Sequence, residues 1–246
     1  MRTSNPVLGS RRFQMHSTTY GTEGAMTING TITKCLILLV CALVAGAAGW
    51  RLFMTGAVPL QTVLLVGGLG GTGLAILTAF KPQWAPVTAP LYALLEGCLL
   101  GGISGLLNSF IPGIAAQAIC LTFGTLLVLL VAYRSGLIRV TPNFQRGLIA
   151  ATGAVALVYL VSFVMGLFGL SVPYIHEGGT IGIVFSLVVV TIAALNLVLD
   201  FNFIEQNAAA GAPKYLEWYG AFGLMVTVVW LYLEILNLLA KLASRR

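Results

Sequence analysis

The chain has 246 residues, of which 58% are hydrophobic and only 8% charged. Soluble domains carry about 25% charged residues, so this chain cannot cover itself with a polar surface, and its solvent is mostly lipid. The net charge of +6 does not point to nucleic acid, because the Lys and Arg residues are spread over helix ends and form no basic stripe.

The apolar runs set the class. A membrane β-barrel shows segments of about ten residues with alternating polarity. The runs here are about twice that length and do not alternate, so the predicted fold is an all-α polytopic membrane protein built as one seven-helix bundle. Residues 1–33, polar and rich in Gly, Thr and Ser, read as a largely disordered tail. The transmembrane domain is expected over 34–243. "SRR" at Ser10–Arg12 looks like a twin-arginine signal, but the next apolar run lies too far away and is too long for a signal h-region.

The first span is expected over about Lys34–Phe53, the second over about Leu60–Phe80 and the third over about Leu91–Phe110. Gly67 and Gly71 stand four apart in the second. Gly97, Gly101 and Gly105 recur every four residues in the third and make one smooth ridge. Such ridges let helix backbones approach closely where no hydrophobic effect drives association. No strand precedes these glycines and no Lys follows them, so they are not a phosphate loop.

Pro112 opens the fourth span, which ends near Tyr133 before a basic loop with Arg134, Arg139 and Arg146. The fifth runs over about Gly147–Leu170, and a loop with Pro173, His176 and Glu177 follows it. The sixth begins near Ile181 and the last apolar run ends near Leu242. With seven spans, nine Lys and Arg residues fall on the N-terminal side, among them Lys34, Lys81 and Lys214, against four on the other. The positive-inside rule then places the N-terminus in the cytoplasm of a cell (inner) membrane.

Cys35, Cys41, Cys98 and Cys120 lie in apolar segments at unrelated spacings, which fits packing residues and no metal or disulfide framework. His16 and His176 lack nucleophile partners nearby in sequence, so no enzyme and no cofactor is expected. A retinal-type pump needs a Lys midway along the last helix, and Lys241 is at its end. A secondary transporter leads one to expect inverted repeats or broken helices, and no convincing internal repeat is present.

The acidic residues carry the functional signal. An ionised carboxylate at the bilayer centre costs about 2.5–3.5 kcal/mol on the translocon scale. A chain with seven acidic residues nonetheless keeps Asp200 and Glu234 within or against its last two apolar runs. Asn196 precedes Asp200 by four residues and Asn237 follows Glu234 by three, which suggests narrow polar stripes facing the bundle interior. Glu96 lies one turn into the third span, either snorkelling to water or facing a central cavity.

Depth limits what Asp200 and Glu234 can do together. A last helix starting near Tyr215 carries Glu234 about 28 Å into the membrane. The two acids meet only if the sixth helix runs past Asp200 to about Gln206, and if an extra turn or interfacial helix in "APKYLEWYGAF" delays the seventh span to about Gly220. Both are expected. The pair then shares one proton and titrates as a unit. Its deprotonation adds charge and repulsion to the core, a switch on a bistable packing.

"LVLDFNFIEQ" followed by "LYLEILNLL" resembles the sixth and seventh helices of the Bax inhibitor-1 family, the transmembrane Bax inhibitor motif proteins. "YRSGLIRVTPNFQRGLIAATGAVALVYLVS" and "APLYALLEGCLLGGISG" look like its bacterial branch. The resemblance covers about residues 34–242. It implies a bundle with the seventh helix central, and a pH-sensitive calcium leak in which the carboxylate pair maps onto Asp200 and Glu234. Glu stands here where the family commonly has Asp. The resemblance also implies a latching basic residue at the end of the second helix, where Lys81 stands. The acid expected in the second helix is missing, and Glu96 is its nearest substitute.

The expected function is thus a proton-gated, Ca2+-permeable leak with weak Ca2+ contact at Asp200 and Glu234. Tight Ca2+ sites use six to eight oxygens, and two or three carboxylates suit permeation better. The alternative is a non-conducting regulator that acts through partners such as a membrane protease. Expected partners are the lipid bilayer, Ca2+ and H+, and other membrane proteins, with no nucleic acid.

Overall fold

A computed structural model describes residues 24–169 and 179–245. The polar segment up to residue 23 and the loop with Pro173, His176 and Glu177 lie outside the described residues. The described residues form seven helices, each long and apolar enough to cross a membrane, and no β-strand.

Helix α1 spans Ile28–Met54. It starts earlier than the apolar pattern suggested, because Thr27 caps it by accepting the Gly30 N–H at 2.9 Å. Thr31, one turn in, is fully buried. Helix α2 spans Gln61–Phe80 and contains a π-helical turn at Leu64–Leu69. Helix α3 spans Ala85–Phe110, starting before Leu91. Pro86 stands in its first turn, where a missing N–H costs nothing. Pro90 lies inside the helix all the same.

Helix α4 (Ile114–Arg134) follows a tight turn at Gly113, whose φ of 84° favours glycine and whose N–H donates to Asn108 Oδ1 at 2.8 Å. Helix α5 spans Pro142–Leu167 and is capped by Thr141, which accepts the Phe144 N–H at 3.2 Å. Helices α6 (Thr180–Ala209) and α7 (Leu216–Ala243) form a hairpin whose turn uses Gly211 at φ 66°.

Helix α7 is central. It is the most buried of the seven, and both apolar cores are built on it. One core joins Leu231, Ile235 and Leu236 to Ile114 and Ala118 of α4 and to Ala193 and Leu197 of α6. The other joins Ala221, Phe222, Met225 and Val229 to Leu38 of α1 and to Tyr92 and Ala93 of α3. Outward faces are apolar too: Val44, Leu65, Leu69, Phe163 and Leu167 are all exposed. That is the surface of a protein solvated by lipid.

The α1–α3 contact is the closest in the bundle. A Cβ added at Gly101 would lie 2.0 Å from the Gly46 carbonyl oxygen, and one at Gly97 2.4 Å from that of Ala42. The glycine ridge of α3 is therefore a backbone-to-backbone seam, the arrangement small residues permit in lipid. Gly67 and Gly71 face the same helix, against Leu99 and Glu96.

The α6–α7 hairpin departs from the expected form in one respect. Helix α6 does run past Asp200, to Ala209. Helix α7, however, starts directly at Leu216, with no extra turn before Gly220. The aromatic segment Tyr215–Tyr219 is its first turn, because Glu217 is pulled inward there.

Candidate functional site

An antiparallel hairpin matches residues by their distance from the turn. At about 1.5 Å per residue, Asp200 lies about 14 Å from the end of α6 and Glu234 about 27 Å from the start of α7. Asp200 therefore faces the first half of α7, and Glu234 stands in the second.

Asp200 Oδ1 lies 3.9 Å from where a Cβ on Gly223 would sit, so the glycine leaves room for the carboxylate. The Thr227 hydroxyl lies close to this carboxylate and donates to the Gly223 carbonyl at 3.2 Å. The other oxygen, Oδ2, is buried without a hydrogen-bond partner among the described residues.

Glu234 is 5% exposed. Its Oε1 accepts from Tyr159 Oη of α5 at 2.7 Å and from Trp230 Nε1 at 3.2 Å. Its Oε2 is buried without a hydrogen-bond partner among the described residues. Lys241 stands two turns on along the same face of α7. Lys241 is itself buried and donates to Ser186 Oγ at 2.8 Å and to the Gly182 carbonyl at 3.2 Å.

The two acids thus stand in the bundle interior, as expected, but at different depths. Thr227 and Glu234 are about 10 Å apart along α7. A directly shared proton is not the geometry this hairpin builds. The start of α7 at Leu216 is part of the cause: a start at Gly220 would have lowered Glu234 by about 6 Å, which closes part of that distance and not all of it.

A model of the Bax inhibitor 1 like family matches residues 5–244. The chain belongs to that family. No curated protein and no solved structure matches it.

The remaining expected residues of this Bax inhibitor 1 like chain fall in separate places. Asn196 donates to Thr152 Oγ1 at 2.8 Å and to the Ile192 carbonyl at 2.9 Å, which ties α6 to α5 and leaves Asp200 alone. Asn237 is exposed, so it does not extend an interior stripe. Three residues fall about 60° short of a full turn, and on α7 that step leads from the buried face of Glu234 to an exposed one. Lys81 is exposed and lies over the Trp84 ring, 5.2 Å from its centroid, so it latches neither acid. Glu96 is buried against α2, where a Cβ on Gly71 would come 2.6 Å from its Oε1. It neither snorkels nor joins Asp200 and Glu234.

Sequence reasoning missed three polar contacts on α7. Glu217, 1% exposed, pairs with Lys34 of α1. Its Oε1 also accepts from the Thr27 N–H and Thr27 hydroxyl, both at 2.9 Å. Gly30 is required beside it, since a Cβ there would lie 2.2 Å from Oε1. Tyr232 and Ser104 of α3 share a hydrogen bond of 2.7 Å. The third is Lys241 with Ser186. Lys34 and Lys241 read in sequence as topology charges at helix ends. The available signal was Glu217 itself, an acid in the first turn of an apolar helix, where the helix dipole favours it.

Proposed function

We propose that this protein is a pH-sensitive, Ca2+-permeable leak of the cell membrane, with its N-terminus in the cytoplasm and with Asp200 and Glu234 as two separate proton-binding stations along α7. One observation carries the reading: each acid keeps one carboxylate oxygen buried without a hydrogen-bond partner among the described residues. An orphaned buried oxygen is costly unless a proton or a cation takes it up. Intramembrane acids that face a bundle interior mark ion and proton paths more often than they serve packing.

Protonated, each acid is neutral and the bundle closes on it. Deprotonated, each carries a charge that repels the low-dielectric packing and attracts a cation. Asp200 then offers its carboxylate with the Thr227 hydroxyl close by, and Glu234 offers Oε2. Each set falls short of the six to eight oxygens of a tight Ca2+ site, which suits passage over storage. Flux therefore rises with pH. Such a leak needs no enzymatic step and no cofactor.

A second reading, a non-conducting regulator acting through a membrane protease or another membrane protein, is favoured by the packing between the stations. Leu197 and Leu231 are fully buried in one core there. Ca2+ flux into liposomes across pH 6–8 separates the two. The leak requires flux that climbs with pH in the wild type and a flatter climb in Asp200→Asn and in Glu234→Gln. A folded protein with no flux at any pH leaves the regulatory reading.

A further inference from the structure

Helices α1 and α4 barely touch. Between them opens a cavity of about 490 Å3, floored by α3 and α7. Its walls are almost wholly apolar, with Leu39, Leu43, Ile119, Phe123 and Val228 among them. A smaller apolar cavity shares Leu39, Met225 and Val228 with it and continues toward Cys35.

Three features define what fits there. The first is length. From Leu39 to Arg51 the cavity follows α1 for about 18 Å. Half of a bilayer hydrocarbon core is about 15 Å, so the cavity runs the depth of one leaflet. The second is polarity. Arg51 is the one charged residue of the lining and stands in the last turn of α1, at headgroup level. The third is charge. Arg51 is exposed, and its guanidinium has no ion pair or hydrogen bond among the described residues. Trp50, beside it in the wall, is the amphipathic aromatic that favours this interface.

We propose that this cavity binds one acyl chain of an anionic phospholipid, with the lipid phosphate held by Arg51. The chain lies against α3, α4 and the outward side of α7. The guanidinium meets the phosphate in a charge-assisted, planar contact. The volume falls within the 300–1,000 Å3 usual for sites that enclose a ligand, which are mostly apolar with few polar anchors. The Ser104–Tyr232 hydrogen bond satisfies the polar atoms of the floor without a ligand, so the site selects for hydrocarbon along its length and for negative charge at one end alone.

The test uses the full chain, purified and delipidated, with phosphatidylglycerol and phosphatidylcholine carrying brominated acyl chains. Bromine quenches nearby indole fluorescence, and the part lost in Trp50→Phe reports this cavity. Phosphatidylglycerol is expected to saturate that signal with roughly tenfold higher affinity than phosphatidylcholine, whose quaternary ammonium offsets the phosphate charge and repels Arg51. Arg51→Gln should bring the two lipids together. Ala47→Phe, which fills the exposed wall of the cavity, should abolish the Trp50 signal for both. Equal affinity of the two lipids for the wild type, a comparison that needs no variant, overturns the headgroup assignment. Quenching unchanged in a folded Ala47→Phe protein shows the chain to be ordinary annular lipid and overturns the site.

Discussion

Replacing Lys34 by Met tests how the first and last helices are held together. The change keeps the apolar stem and removes the ammonium, which leaves Glu217 charged and 1% exposed. Breaking a buried ion pair by removing one partner costs about 3–5 kcal/mol. Two features reduce that here. The Thr27 N–H and hydroxyl still donate to Glu217 Oε1, and the first turn of α7 adds the helix dipole, about 0.3–1 kcal/mol. Lys34 is also 17% exposed, so water reaches the rim of the site. The expected loss is about 2–3 kcal/mol. In Lys34→Met/Glu217→Gln no charge is left buried, and the Gln carbonyl can accept from Thr27. Stability should return to within about 1 kcal/mol of the wild type. SDS titration in mixed micelles measures this, and Trp218, whose ring lies 5.8 Å from Lys34 Nζ, reports locally. A single variant less than about 0.5 kcal/mol below the wild type refutes the reasoning, as does a double variant at the sum of the two singles.

Gly101→Ala forces a Cβ to within 2.0 Å of a backbone oxygen and should cost about 1–3 kcal/mol, whereas Gly153→Ala, with open space around it, should be neutral or stabilising in the same titration. Because Asp200 and Glu234 stand at different depths, Asp200→Asn and Glu234→Gln should each remove part of the pH response of flux, and only the double variant should abolish it. A single variant as flat as the double one would restore a shared proton. Tyr159→Phe takes one of two donors from Glu234 Oε1 and should destabilise by about 1–3 kcal/mol, with a smaller effect in a Glu234→Gln background.

Composition and periodicity alone determined that this chain lives in lipid, that it crosses seven times, and that Gly97 and Gly101 lie in a helix seam. These follow from local rules: a bilayer sets span length, and an i, i+4 glycine ridge has one use there. Sequence also marked Asp200 and Glu234 as interior acids, since lipid tolerates a carboxylate in few other places. It could not say which acid meets which. That depends on where α7 begins. A start at Leu216 in place of Gly220 moves Glu234 by about 6 Å, a full turn. The inward pull of Glu217 onto Lys34 and Thr27, residues remote from it in sequence, fixes that start. Tertiary structure alone decided it, because the energy that sets the register of the last helix comes from a contact with the first, and no local pattern encodes a contact of that range.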